Sequence, residues 1–432
     1  MPSNKISQSI HFMMVALAFA LPLSIAATNL IGVIIVILWF LQGDIKKSIE
    51  IIKKHSLLLL PLLLPLIFLI SWTWSDSATN SFLTKEGRIF LKGILSFAWI
   101  PLIAIILVTS IEKRYISYII RAFLVAIFIS EIASYLIYFE LIEWQTIKEY
   151  GLLYRNTSPS SPTPFMNHIR YSLFLGIALL LLIDTLRKED LSLYARLFIV
   201  FFIISATTNL FINGGRTGQI GIIIALGIYT IIVFRTKIWL LLSSWIAIIA
   251  VVFIAYNASP IFQKRVHAGI SNIQGLAQKD YTTSWGLRVA AAKISLGYLA
   301  HSFPNLVLGA GAGNSRGALY EFANDNYPPH IAEPFKTLSH LHNQYLQFWI
   351  DGGVAALGVF LFFFYTIFKR YTIKNKPLIY SATGFFLFAF CTDNVLFSTQ
   401  GYILFLLFYA IYLIYDEVPR EKNYQSSNKQ TS

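Results

Sequence analysis

The sequence predicts an all-α polytopic integral membrane protein of about 12 transmembrane helices with one large, mostly helical extracytoplasmic loop. Three observations carry this. Of 432 residues, 56% are hydrophobic and only 13% charged, with mean hydropathy +0.63. A soluble fold has too little interior to hide that much apolar surface, whereas a bilayer accepts it directly. Long apolar runs recur along the chain, and a span takes about 20 such residues. Lysines and arginines gather in short segments between alternate runs, as cytoplasmic loops do.

Taken in order, the runs lie near 9–26, 28–42, 57–74, 90–109, 115–139, 166–184, 196–212, 217–234, 238–256, 343–367, 378–391 and 400–416. The first starts near Ser9 without an A-x-A-like cleavage site and is followed at once by another, so it reads as a retained helix. The second and eleventh are short. With the N-terminus inside, the cytoplasmic segments are GDIKKSIEIIKKH, SIEKRY, DTLRKEDLSLYAR, FRTK, FKRYTIKNKP and the tail DEVPREKNYQSSNKQTS, each basic or carrying basic pairs. The outer loops are AAT, the stretches around 75–89 and 140–165, INGGRTG, the segment 257–342 and CTDNVLFSTQ. The expected organisation is nine helices over 1–256, a loop domain at 257–342, three helices over 343–416 and a cytoplasmic tail at 417–432. A connection of roughly 85 residues is far longer than ordinary ones, and loops of that size are usually functional.

The formal charge of +13 prompts a search for nucleic acid, but the cations sit in short loops between apolar runs, which excludes that partner and leaves membrane lipids. A single Cys391 excludes an intramolecular disulfide and a cysteine-rich metal site. No HExxH, acidic metal cluster or GxxxxGK[ST] is present, so no metal or other cofactor is expected.

The polar residues expected to carry chemistry lie on the outer side. Arg216, in NGGRTGQIG, opens the eighth run after a very short turn. A guanidinium binds two phosphate oxygens at once and stays charged. Gly214, Gly215 and Gly218 beside it let backbone approach a ligand, and a helix start adds outward N–H groups. The competing reading is an arginine that snorkels to lipid headgroups. Arg288, in SWGLRVAAAK, is a second cation, with a salt bridge to Asp280 or Glu321 as its alternative. His342 and His340, in HLHNQYLQ, enter the tenth run; in a helix, residues two apart face different directions, so only one can share a site with Tyr345 and Leu346. His168 and Arg170, in MNHIRY, can join the anion site, and Asp393 can orient a histidine or balance an arginine. Arg316, in LGAGAGNSRG, is a weaker phosphate candidate within a turn or hinge. Arg121 is expected to snorkel, and Glu131 to be a buried, protonated carboxyl.

The pattern resembles the O-antigen ligase and polymerase superfamily of bacterial envelope glycosyltransferases. The resembling features are the helix count, GGRTGQ opening a helix, a large outer loop before the antepenultimate helix, and HLHNQYLQFWIDGGVAALG ending that loop. The resemblance covers the second half of the chain well and the first five helices only in general character. It implies a GT-C-like fold in the bacterial inner membrane, a periplasmic loop and site, and cytoplasmic termini. It also implies an undecaprenyl-pyrophosphate-linked glycan as donor and, for a ligase, the lipid A-core oligosaccharide as acceptor. Carried over residue by residue, the family's histidine falls on His342, which precedes Asn343, and its arginines on Arg216 and Arg288, with Lys293 and Arg316 as competitors for the latter. His340 and Asn343 become neighbours at the substrate. A polymerase and a protein O-oligosaccharyltransferase share the same reaction core. From another class, a lipid-linked glycan flippase would use Arg216, Arg288 and Glu131 along a path, but no internal repeat of the transporter kind is evident.

Overall fold

A computed structural model describes residues 2–75, 85–313, 315–370 and 376–414. Within them run nineteen α-helices: α1 (Pro2–Ala20), α2 (Ile25–Gln42), α3 (Ile45–Lys54), α4 (Ser56–Trp72), α5 (Lys85–Ser110), α6 (Lys113–Tyr138), α7 (Trp144–Glu149), α8 (His168–Lys188), α9 (Leu193–Ile212), α10 (Arg216–Phe234), α11 (Ile238–Ala258), α12 (Pro260–Ala277), α13 (Ser284–His301), α14 (Phe303–Leu308), α15 (Ser315–Asn326), α16 (Pro329–Lys336), α17 (Gln344–Arg370), α18 (Pro377–Thr392) and α19 (Thr399–Tyr409). Val395–Phe397 forms a 3-10 turn before α19, which continues as a π-helical turn, Ala410–Ile414. Among the described residues the only β feature is a bridge between Ser158 and Ser161. The expected tail at 417–432 lies outside the described residues, as do parts of the 75–89 stretch and of FKRYTIKNKP.

Each of the twelve apolar runs overlaps a helix, although the first crosses the turn between α1 and α2. By length and composition α2, α6, α8, α9, α10, α11 and α17 can cross a membrane, which accounts for seven of the expected spans, or eight if α3 and α4 form one bent span. The remaining apolar helices, including α1, α18 and α19, are shorter. The chain is therefore an all-helical polytopic membrane protein. The segment read as a plain loop, GDIKKSIEIIKKH, contains α3, which buries Ser48 and Ile51 while its lysines stay exposed.

Burial sorts the helices. α8 lies at the centre, against α9, α10 and α18. Interlocking rings of Phe386, Phe390, Phe405 and Tyr409 tie α18 to α19, with ring centroids about 5–6 Å apart, the spacing edge-to-face pairs prefer. α11 is the opposite case. None of its residues is buried, and Trp245, Ile246 and Ile249 face outward, as suits a helix against lipid.

The described residues of 259–342 form helices α12 to α16 with a second apolar core that includes Ala290, Ile294 and Phe335 and is closed by Ile350 of α17. The run at 343–367 is not one uninterrupted helix, because α17 breaks at Gly352 and Gly353. Gly353 has φ +64°, which favours glycine, and a Cβ there would strike the Val307 carbonyl. Three bonds knit the break: Ala310 N–H to Ile350 O (2.8 Å), Ser71 Oγ to Asp351 O (2.7 Å) and Ala312 N–H to Ser71 Oγ (3.2 Å).

Candidate functional site

The stretch leading into α17 is built to aim side chains away from the helix. Asn343 caps it, accepting the Leu346 N–H on its side-chain oxygen (3.0 Å) and the Gln347 N–H on its carbonyl (2.9 Å). Its amide oxygen is thus committed to structure. Residue 342 sits one step outside the helix with φ +52°, a left-handed conformation that costs a non-glycine residue about 1–3 kcal/mol. In that conformation the imidazole of His342 meets Asp393, Nδ1 to Oδ1 at 3.2 Å. His340 reaches the same oxygen through Nε2 at 3.8 Å, and the two rings lie 4.0 Å apart. The expectation that only one histidine faces a common site assumed a helix. Residues 337–343 are not helical, so both converge on Asp393.

Hydrogen bonding fixes which nitrogens carry protons. His340 Nδ1 accepts the His342 backbone N–H (3.2 Å), so in the neutral ring its proton is on Nε2, facing Asp393. Burial, the neighbouring His342 and the Arg288 and Arg170 charges push His340 down to about 4, against the pull of Asp393. Burial also works against charge on Asp393, yet the His342 hydrogen bond, both imidazoles and the Asn394 amide outweigh it and hold the carboxyl below its ordinary range. An ionised Asp393 takes Nδ1–H from His342 and leaves Nε2 of a neutral His342 as a free acceptor. His340, His342 and Asp393 also offer three atoms within 4.8 Å of one another, a spacing a metal ion can use. The protonated Nε2 of His340 does not suit ligation, so the donor set fits a hydrogen-bonded triad better than a metal site.

Further cations gather near this triad. Arg216 opens α10, with its Nη1 3.9 Å from where a Cβ on Gly269 of α12 would stand. Reciprocally, Arg265 of α12 lies across Gly214, its Nε 2.8 Å from the corresponding Cβ position. Arg288 of α13 donates to Ser284 O (3.1 Å) and Oγ (2.8 Å), while its buried Nε has no hydrogen-bond partner among the described residues. Burial lowers Arg288, and Asp393 offsets this. No ion pair to Asp280 or Glu321 forms among the described residues; Asp280 instead accepts from Thr282. His168, the first residue of α8, is in electrostatic reach of Arg265, Asp393, Arg216 and Arg288. Two of the three glycines next to Arg216 pack against a helix, whereas Gly214 lies under Arg265. Gly215 and Gly218 face Ser172 of α8, and the Gly218 N–H bonds to Ser172 Oγ (3.1 Å), so they admit a neighbouring helix rather than a ligand.

A cavity of about 790 Å³ opens beside the triad. Arg170, Arg316, His340, Asp351 and Asp393 line it together with Phe68, Phe97 and Phe335, whereas Arg216, Arg265 and Arg288 do not. Arg170 makes a long contact to Gln400 Oε1 (3.4 Å), and Arg316 is exposed.

Residues 199–363 match the O-antigen ligase family. That segment of the chain is thus similar to O-antigen ligases, which supports the resemblance to the ligase and polymerase superfamily of glycosyltransferase-like membrane enzymes. No curated protein matches the chain. The O-antigen ligase match spans α9 to the broken helix α17 and contains Arg216, Arg265, Arg288, Arg316, His340, His342 and Asn343. His168, Arg170 and Asp393 lie outside it and join the site through the fold.

Arg265 escaped the sequence reading. It sits in a helix, PIFQKRVHAGISNIQGLA, with no phosphate-binding signature, and only the return of α12 over the turn before α10 brings it to Arg216. Arg121 is exposed, consistent with a surface charge. Glu131 is fully buried and accepts from Ser205 Oγ at 2.6 Å, remote from this constellation in the hydrogen-bond network.

Proposed function

We propose that the protein is an O-antigen ligase of the bacterial inner membrane. It moves a glycan from undecaprenyl pyrophosphate to a hydroxyl of the lipid A-core oligosaccharide, with residues 257–342 and the site on the periplasmic face. The observation that carries the reading is the His342–Asp393 contact standing beside Arg216, Arg265 and Arg288.

The chemistry follows from those groups. His342 Nε2 takes the proton of the acceptor hydroxyl as its oxygen bonds to the anomeric carbon. The bond from that carbon to the pyrophosphate oxygen breaks, and its electron pair leaves with the pyrophosphate. A single displacement inverts the anomeric centre. Arg216, Arg265 and Arg288 receive the growing negative charge, and guanidinium forks match phosphate oxygens in pairs, so this route needs no metal. Asp393 holds the tautomer of His342 and steadies the imidazolium that forms.

Deletion of the gene followed by gel analysis of lipopolysaccharide tests the ligase reading. Core without O-chain, alongside accumulated polyprenyl-linked polymer, is the expected result. Core bearing a single repeat assigns a polymerase instead, and unaltered lipopolysaccharide with loss of a glycosylated protein assigns a protein O-oligosaccharyltransferase.

A further inference from the structure

The face opposite the triad carries a short basic helix that no step of the chemistry uses. α6 runs from Lys113 to Tyr138 and leads through residues 139–167 to His168 beside the site, so its start lies on the far face, as does the end of α5 before it. α3 sits there, with Ser48 Oγ 3.4 Å from Thr109 Oγ1 at the end of α5. Its axis meets that of α4 at 100°. α4 runs from this face toward the site, where its Ser71 bonds the Asp351 carbonyl. A helix at such an angle to a crossing one lies along the membrane surface.

The composition of α3 is divided by face. On a helix of 3.6 residues per turn, positions 46, 47, 50, 53 and 54 fall within an arc of about 120°, and all five residues are exposed. That arc holds four lysines and one glutamate, Glu50. The opposite arc holds Ser48 and Ile51, both buried, and Ile45 and Ile52, which pack against the main core. Ile49 stands at the margin between the two and is 45% exposed. The apolar arc is therefore committed to the bundle, which holds the lysines as a fixed row with an exposed isoleucine along its border. A surface helix divided in this way sets its apolar edge at the acyl boundary and its ammoniums among the headgroups. Each lysine so placed gains roughly fivefold in attraction to an acidic bilayer surface. Charge spread over an irregular loop would set sidedness alone, whereas a rigid row of ammoniums also selects among headgroups.

We infer that α3 is a docking surface for acidic phospholipid headgroups, in which Lys46, Lys47, Lys53 and Lys54 meet the net negative charge and Ile49 meets the acyl chains. Nothing in this depends on the reaction assigned to the opposite face.

A fluorophore on Ile49→Cys, in a Cys391→Ser background, reports which lipids reach the helix. The full chain is placed in nanodiscs of equal phosphatidylglycerol and phosphatidylcholine, with one or the other brominated as quencher. Quenching should show phosphatidylglycerol enriched about fivefold beside the label, and salt at about 1 M should remove most of that preference. Changing the four lysines together to glutamine should bring the two lipids level, changing them together to arginine should keep the preference, and Glu50→Gln should raise it. The salt and Glu50→Gln measurements decide the matter even if the glutamine variant fails to fold. Equal quenching by the two lipids with the lysines intact, or a preference indifferent to salt and to Glu50→Gln, overturns the docking surface. Loss of the preference on adding inorganic phosphate at constant ionic strength assigns a site for a soluble anion and overturns it as well.

Discussion

Nδ1 of His342 stands 3.2 Å from Oδ1 of Asp393, although the two residues are 51 positions apart in the chain. The contact joins the end of α18 to the entry of α17, two elements that open on the same face. It gives the imidazole a fixed tautomer and orientation, the condition a general base must meet before its proton affinity matters.

Asp393→Asn should therefore act on turnover more than on binding. We expect kcat to fall by roughly 10²–10⁴-fold, as when the orienting carboxylate of a catalytic histidine is lost, with donor KM changed only a few-fold. Steady-state kinetics on the purified protein check this. A rise in KM with unchanged kcat would make Asp393 a binding residue instead.

Arg265→Gln should behave in the opposite way. Its guanidinium lies across the turn that presents Arg216, so its loss should raise donor KM by about tenfold with a smaller effect on kcat. Donor binding that is indifferent to Arg265 but sensitive to Arg216 would confine the anion site to α10 and α13.

Acidity should weaken the fold through His340. Burial and its charged neighbours lower this imidazole from 6.5 to about 4, so between those values the unfolded chain takes up a proton that the folded chain refuses. The stability involved is complete above the unfolded value and drains away as pH falls toward the folded one. Asp393, held below its ordinary range, stays ionised across that window. The melting temperature of the unmodified protein should therefore drop further from about pH 7 to about pH 5 than that of His340→Gln. Equal drops would contradict the lowered value.

Gly218→Ala should disturb the site from a distance. A Cβ at Gly218 would run into the Ser172 backbone, so α8 and α10 must separate, with overpacking of this kind costing about 1–3 kcal/mol. Thermal melting should register the loss, and because Arg216 rides on the same turn of α10, donor KM should rise with it. Unchanged melting would mean that the two helices have slack.

Helix positions were legible in the sequence because apolar runs have one cheap solution in a bilayer, and every run overlaps a helix. Arg216 and His342 were legible because local patterns, GGRTGQ and HLHNQYLQ, surround them. Arg265 was not, since its approach to Arg216 depends on how α12 returns over α10. The shared aim of His340 and His342 was hidden by a turn whose left-handed residue is a histidine, a type that periodicity does not mark. The break in α17 left a trace, the Gly352–Gly353 pair, which reads as helix interior until the Val307 carbonyl is seen against it.

Turnover of His342→Gln with purified lipid-linked donor and purified acceptor tests most directly whether His342 accepts the proton of the attacking hydroxyl. Donor binding should be retained with kcat lowered by roughly 10²–10⁴-fold, the usual contribution of a general base. Near-normal turnover by the variant would contradict it.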